Sequence, residues 1–143
     1  MEWQKDDYTI SSDPSRLDLE AIHRFLSEEA YWAKDRTLEQ TRTAIGNSIC
    51  FGVYEGERQV GFARVVTDRA TFAYLGDVFV LNEFRGRGLS KWLMETIVSH
   101  PELQGLRRWI LATRDAHGLY AQFGFSSLKF PERWMELSAR DAY

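Results

Sequence analysis

The apolar positions change period along the chain. After a short extended piece at Tyr8-Thr9-Ile10, the run from Leu17 to Leu26 repeats apolar residues at helical spacing and predicts a first helix. Thr37-Leu38-Glu39-Gln40 places a hydroxyl three positions before a Gln, the capping-box pattern, and predicts a second helix to about Ile45. The period then shortens. Ile49 to Tyr54 and Gln59 to Val66 predict two antiparallel strands joined by Glu55-Gly56-Glu57-Arg58, and Phe72 to Val80 predicts a third strand. A helical pattern runs from Leu89 to Val98 and stops before Pro101. Arg108 to Ala112 predicts a strand, Ala116 to Phe123 a helix, and Phe125 to Leu128 and Trp134 to Leu137 extended segments. Helices and strands in this order specify an α/β or α+β sheet domain.

Composition narrows the class without choosing a function. The 143 residues carry no Pro/Gly/Ser-rich linker, low-complexity tract or repeat, so one domain over residues 1–143 is expected. A hydrophobic share of 44% with 27% charged residues belongs to a soluble globule, which argues against a disordered or collagen-like chain. Eighteen basic against 21 acidic residues give a net charge of −3, which argues against a nucleic-acid partner unless the positive charge is clustered. Cys50 is the single cysteine, and His23, His100 and His117 are far apart, so neither an internal disulfide nor a metal site is expected. The start, Met1-Glu2-Trp3-Gln4-Lys5, does not read as a signal peptide, and no window is apolar enough to span a bilayer. The expectation is a cytoplasmic protein with no membrane partner.

The most informative unit is Asp77-Val78-Phe79-Val80 followed by Arg85-Gly86-Arg87-Gly88-Leu89-Ser90-Lys91. A strand enters a loop whose two glycines permit close backbone approach, and a helix begins at once, directing unpaired N–H groups at one spot. Such a spot attracts an anion. Arg85, Arg87 and Lys91 add positive charge there, which suits a pyrophosphate. Walker spacing fails because Gly88 is followed by Leu89-Ser90-Lys91, and a dinucleotide fingerprint fails because Lys91 stands where a third Gly or Ala belongs. A solvated basic turn remains the plain alternative.

The run Arg85-Gly86-Arg87-Gly88-Leu89-Ser90, after Val78-Phe79-Val80, resembles the acetyl-CoA signature of the GNAT superfamily of N-acetyltransferases. Ala116-His117-Gly118-Leu119-Tyr120-Ala121-Gln122-Phe123-Gly124-Phe125 resembles that family's second motif, Ala-x-x-Leu-Tyr-x-x-x-Gly-Phe. Two departures stand out: Ser90 replaces a Gly/Ala, and Thr113 stands where many members have Asn. The resemblance implies a mixed, V-splayed central sheet flanked by helices, with acetyl-CoA in the gap between two parting strands. It further implies that the backbone of Val78, Phe79 and Val80 pairs with the pantetheine arm and that Arg85, Gly86, Arg87, Gly88, Leu89 and Ser90 hold the pyrophosphate, beside which Lys91 adds its charge.

Direct acetyl transfer to an amine needs a neutral amine, a stabilised oxyanion and a proton for the leaving thiolate. By the resemblance Tyr120 is the general acid; the alternative is that it packs or bonds the cofactor sulfur. Asp77 is a carboxylate in an apolar strand, which must meet a partner or face the cleft; the resemblance implies a base or amine anchor at this place, and a structural acceptor of hydrogen bonds from a neighbouring loop is the equal alternative. Glu83 reads as a solvated or loop-pairing residue, and His117 as a surface residue, with a proton shuttle as its alternative. Tyr31, Trp32 and Arg36, between the first two helices, are candidates for the acceptor wall, although Trp32 also suits a core cover. The expected activity is transfer of an acetyl group from acetyl-CoA to a primary amine of a small molecule or peptide, without a metal. Net acidity favours a cationic acceptor, and a homodimer stays open. The rivals are a catalytically silent acyl-CoA-binding module and a nucleotide-binding protein using the same loop.

Overall fold

The computed structural model describes residues 1–139. Residues 1–112 form one compact unit, and those from Thr113 onward form a second. In the first unit six strands make one mixed sheet in chain order: β1 (Glu2–Lys5), β2 (Tyr8–Ser11), β3 (Ile49–Glu55), β4 (Arg58–Thr67), β5 (Phe72–Val80) and β6 (Arg108–Leu111). Neighbours from β1 to β5 are antiparallel, whereas β5 and β6 are parallel. Two helices, α1 (Leu19–Glu28) and α2 (Leu38–Gly46), lie between β2 and β3, and α3 (Leu89–Val98) lies between β5 and β6.

Local chemistry explains the boundaries. Helix α1 starts two residues later than the apolar pattern suggests because the Asp18 carboxylate accepts the Ala21 N–H at 3.0 Å and caps it. Helix α2 has the full capping box, with Thr37 Oγ1 accepting from Gln40 N and Gln40 Oε1 accepting from Thr37 N. The β3–β4 turn is tight around Gly56, whose φ of +59° a side chain would resist. The β1–β2 hairpin was not legible as a strand pair; its signal is Asp6-Asp7, where Asp6 takes a φ of +55°.

The central strands are covered on both faces, so β3 reads as a continuous apolar run rather than an alternation. Ile22, Phe25 and Leu26 of α1 pack with Cys50, Phe62 and Phe79, and the rings of Phe25 and Phe79 stack at 4.1 Å. Burying each such side chain stabilises by roughly 1.5–3 kcal/mol, so α1 is bound to its sheet face by its apolar stripe. Helix α3 contacts β3 and β5 and buries Leu89, Leu93, Met94 and Ile97.

The second unit contains α4 (His117–Ala121) and a one-turn 3₁₀ helix at Pro131–Arg133. The expected extended segments at residues 125–128 and 134–137 are corrected here: among the described residues neither forms a strand. Extended propensity becomes a strand only when a neighbouring backbone supplies ladder hydrogen bonds; Met135 and Leu137 instead stand 97% and 102% exposed. Among the described residues no helix is long and apolar enough to cross a membrane, and no group of three His, Cys, Asp or Glu side chains is gathered as for a metal.

Candidate functional site

The ladder between β5 and β6 starts at Phe72 opposite Arg108 and stops at Leu75 opposite Leu111. Beyond that point β5 continues through Gly76, Asp77, Val78, Phe79 and Val80 while β6 has ended, so five residues of β5 lack β6 as a partner. The two parallel strands therefore part at their carboxyl ends, where open α/β sheets hold ligands. The departure coincides with a β-bulge. Between the pairs Phe62–Phe79 and Arg64–Gly76, β5 carries one residue more than β4, and Asp77 there has a φ of +54°. An aspartate tolerates the left-handed region better than most residues.

Val78 is half-buried and Phe79 and Val80 are buried, with the Phe79 ring committed to Phe25. What this stretch offers to a ligand is its backbone edge. Past β5, Asn82–Phe84 makes one 3₁₀ turn and the chain enters Arg85 to Gly88. Gly86 and Gly88 have φ of +80° and +76°, yet an added Cβ at either would meet nothing within 4 Å. Backbone conformation, not space, requires glycine there. Gly88 is the N-cap of α3, and no side chain caps the helix, so its first N–H groups point outward. Arg85 donates through Nε to the Val80 carbonyl at 3.1 Å, and Arg87 donates through Nη1 to the Tyr8 hydroxyl at 2.7 Å while lying over the Phe84 ring. These anchors hold two guanidiniums at the loop with further N–H donors in hand, and Lys91 is exposed one turn into the helix.

On the α1–α2 face of the bulge, three of the sequence candidates meet. The Asp77 carboxylate accepts from Trp32 Nε1 at 3.0 Å, from Arg36 Nη1 at 2.7 Å and from Arg64 Nε at 2.8 Å. Arg64 Nη1 also donates to Ser48 Oγ at 3.2 Å. Tyr31 packs edge-on against Trp32 at 5.1 Å. Burial by itself would push the Asp77 carboxyl up, but the Arg36 hydrogen bond and the charges of Arg64 and Arg36 outweigh it and hold the group below its usual range. Arg64 is the residue that sequence reasoning missed. It is the lone charge between Val60 and Val66, as Asp77 is in its own strand, and two lone charges of opposite sign in neighbouring apolar strands are the signal for such a pair.

A cavity of about 370 Å³ opens farther along the same face, between α1 and the ends of β4 and β5, lined by Asp18, Phe25, Gln59, Phe79 and Leu81 among others. In the second unit Tyr120 is buried in α4, with its ring 6.0 Å from that of Phe125. His117 is exposed, and Thr113 Oγ1 accepts the Ala116 N–H at 3.1 Å. Cys50 is buried, and desolvation pushes its thiol up to about 12, so it is an inert apolar residue.

A six-strand mixed sheet that parts beside a glycine-rich helix start and is flanked by helices defines a class of α/β fold. Residues 19–125 match the acetyltransferase (GNAT) family, and the chain belongs to that family. A Gibberella zeae protein, an acetyltransferase by name, is 34% identical over 142 residues that cover 84% of this chain and 79% of its own. The crystal structure of a GNAT-family protein from Xanthomonas campestris pv. campestris superposes with a TM-score of 0.93 at 54% identity, covering 96% of this chain and 97% of that one. An acetyltransferase-type structure from Clostridium acetobutylicum, solved with acetyl-CoA, shares the fold at 14% identity, with a TM-score of 0.67 over 92% and 94% of the two chains.

Proposed function

We propose that the chain works as one N-acetyltransferase domain, moving the acetyl group of acetyl-CoA directly to a primary amine of a small molecule or peptide. The observation that carries this reading is the edge of β5 from Gly76 to Val80 that lacks β6 as a partner and is followed by the start of α3, which no side chain caps. A pantetheine arm has amide groups with which such an edge can pair, and a pyrophosphate suits the outward N–H groups beside Arg85, Arg87 and Lys91. Bound acetyl-CoA would supply an activated thioester; the remaining tasks belong to the chain.

Tyr120 is assigned the proton donor to the departing thiolate. A phenol with an ordinary pKa near 10 keeps its proton at neutral pH, and a thiol near 8.5 can take it with modest tuning. Asp77 is assigned the anchor of the acceptor wall rather than the base. A carboxylate held low by two guanidiniums and an indole has little tendency to take a proton. Its three bonds instead set the positions of Trp32 and Arg36, which wall the acceptor site together with Tyr31.

A CoA-thiol release assay across an amine panel tests the reading. Release should depend on the amine, and Tyr120→Phe should lower kcat by about 10²-fold, the small end of the usual contribution of acid–base catalysis. An unchanged kcat across pH would remove Tyr120 from the mechanism. Tight CoA binding without release for any amine would favour a silent acyl-CoA-binding module, and preference for ATP over CoA would defeat the cofactor assignment.

A further inference from the structure

Two guanidiniums meet one carboxylate on the wall of the proposed acceptor site. Neutralising Asp77 requires a single cation, yet Arg36 and Arg64 both bind its Oδ2, from the α1–α2 connection and from β4. The cluster therefore carries one positive charge in excess. Asp77 is spent: its side chain is 4% exposed and already takes three donors. The arginines are not spent. Arg36 uses only Nη1 and Arg64 only Nε and Nη1 toward described residues, and their side chains are 20% and 14% exposed. No buried side-chain nitrogen lacks a partner among the described residues, so the remaining guanidinium nitrogens reach solvent.

Position and rigidity argue for a ligand. Asp77 follows Gly76, the first residue of β5 beyond the β6 ladder, so the excess charge sits beside the opening of the sheet. The shared carboxylate, the Ser48 hydroxyl and the sheet hold the forks in place, which lowers the ordering cost of binding. Planar guanidinium forks match a carboxylate's two oxygens, and partial burial spares the interaction from full solvent screening.

We propose that Arg36 and Arg64 receive a carboxylate of the acceptor, which makes the acceptor an amine that also carries a carboxylate, an amino acid or a close relative. This rests on the acetyltransferase reading for the identity of the acceptor but not for the anion site itself. It also replaces the expectation of a cationic acceptor: the net charge of −3 is a property of the whole surface, whereas the local charge at this wall has the opposite sign.

The test compares amino acids with their C-terminal amides as acceptors, in wild type and in Arg36→Gln. In wild type kcat/KM should be about 10–100-fold higher for the acid, one or two charge-assisted bonds' worth. In Arg36→Gln the acid-to-amide ratio should collapse to about 3-fold or less, with Arg36→Lys intermediate because it keeps the charge without the fork. A second readout needs no turnover. The indole N–H resonance of Trp32, assigned with Trp32→Phe, reports on Asp77 and should shift on titration with the acid but not with the amide. An acid-specific shift without transfer to any amine keeps the anion site and overturns the transferase reading. Transfer that does not distinguish acid from amide in wild type overturns the anion site and leaves the transferase reading standing. Absence of both overturns both.

Discussion

Replacing Asp77 with Asn tests the electrostatic account of the bulge most directly. Asn tolerates the φ of +54° at this position, so the substitution removes the charge with little backbone strain. It leaves one acceptor oxygen for the three donors of Trp32, Arg36 and Arg64 and turns an amide N–H₂ toward two guanidiniums. Hydrogen bonds to charged groups contribute about 1.5–3 kcal/mol each, and breaking a buried ion pair costs about 3–5 kcal/mol. Arg36 and Arg64 keep 20% and 14% exposure and recover some hydration, which puts the expectation at the low end, about 3 kcal/mol. For a chain of this size that is a fall in Tm of about 6–12 °C. Urea unfolding at pH 7 measures it, with an unchanged m-value showing that the denatured state is the same. Asp77→Gly should cost at least as much, because the backbone is content but the carboxylate is gone, and Asp77→Ala should add about 1–2 kcal/mol of left-handed strain. The pH dependence has a definite sign. The folded-state pKa of Asp77 is lowered, so its contribution is fully present above the unfolded value near 3.9 and is lost as pH falls through the folded value. Wild type and Asp77→Asn should converge in that acid window and stay apart from pH 5 to 8. A stability loss for Asp77→Asn within about 0.5 kcal/mol, the range of ordinary surface changes, would refute the claim that this carboxylate organises the wall.

Two further outcomes follow from the same structure. Gly88→Ala should lose about 1–2 kcal/mol because its φ of +76° suits glycine although space is free; chemical unfolding checks the stability, and an unraised KM for acetyl-CoA would argue against the loop as a phosphate site. His100 is buried, packs on Trp3 and Phe51, and accepts the Glu102 N–H at Nδ1. Desolvation holds its pKa below 6.5, so it stabilises the fold above that pH and the contribution is lost as pH falls through the lowered value. Wild-type stability should decline on acidification from about pH 6.5, and His100→Gln should flatten that segment of the curve; an unaltered slope would mean that another group titrates there.

Much of this protein is local and was legible as such. Helix α3 from Leu89 to Val98, strand β5 from Phe72 to Val80 and the capping box at Thr37 follow from period, glycine placement and short-range hydrogen bonds. Each involves residues within a few positions of one another, and a chain announces such features directly. The loop from Arg85 to Lys91 belongs with them, because a glycine pair before an apolar helix sets its own backbone. The role of Asp77 was not of this kind. As a lone carboxylate in an apolar strand it fitted base, anchor and structural acceptor alike, and only its partners distinguish these. Those partners stand 45, 41 and 13 residues away at Trp32, Arg36 and Arg64, and their convergence depends on a one-residue bulge that shifts the register of β5 against β4. A single residue of register reverses which face a side chain occupies, so the sequence could flag Arg64 and Asp77 as lone opposite charges but not bring Trp32 and Arg36 to the same carboxylate. The same dependence on partners explains the C-terminal segments, whose extended propensity is a property of the chain while a strand is a property of two. The sequence by itself determined most of the central elements and the glycine-rich turn before α3. Tertiary structure decided where the sheet opens and that Arg36 and Arg64 converge on Asp77 beside the opening, because long-range pairing sets both.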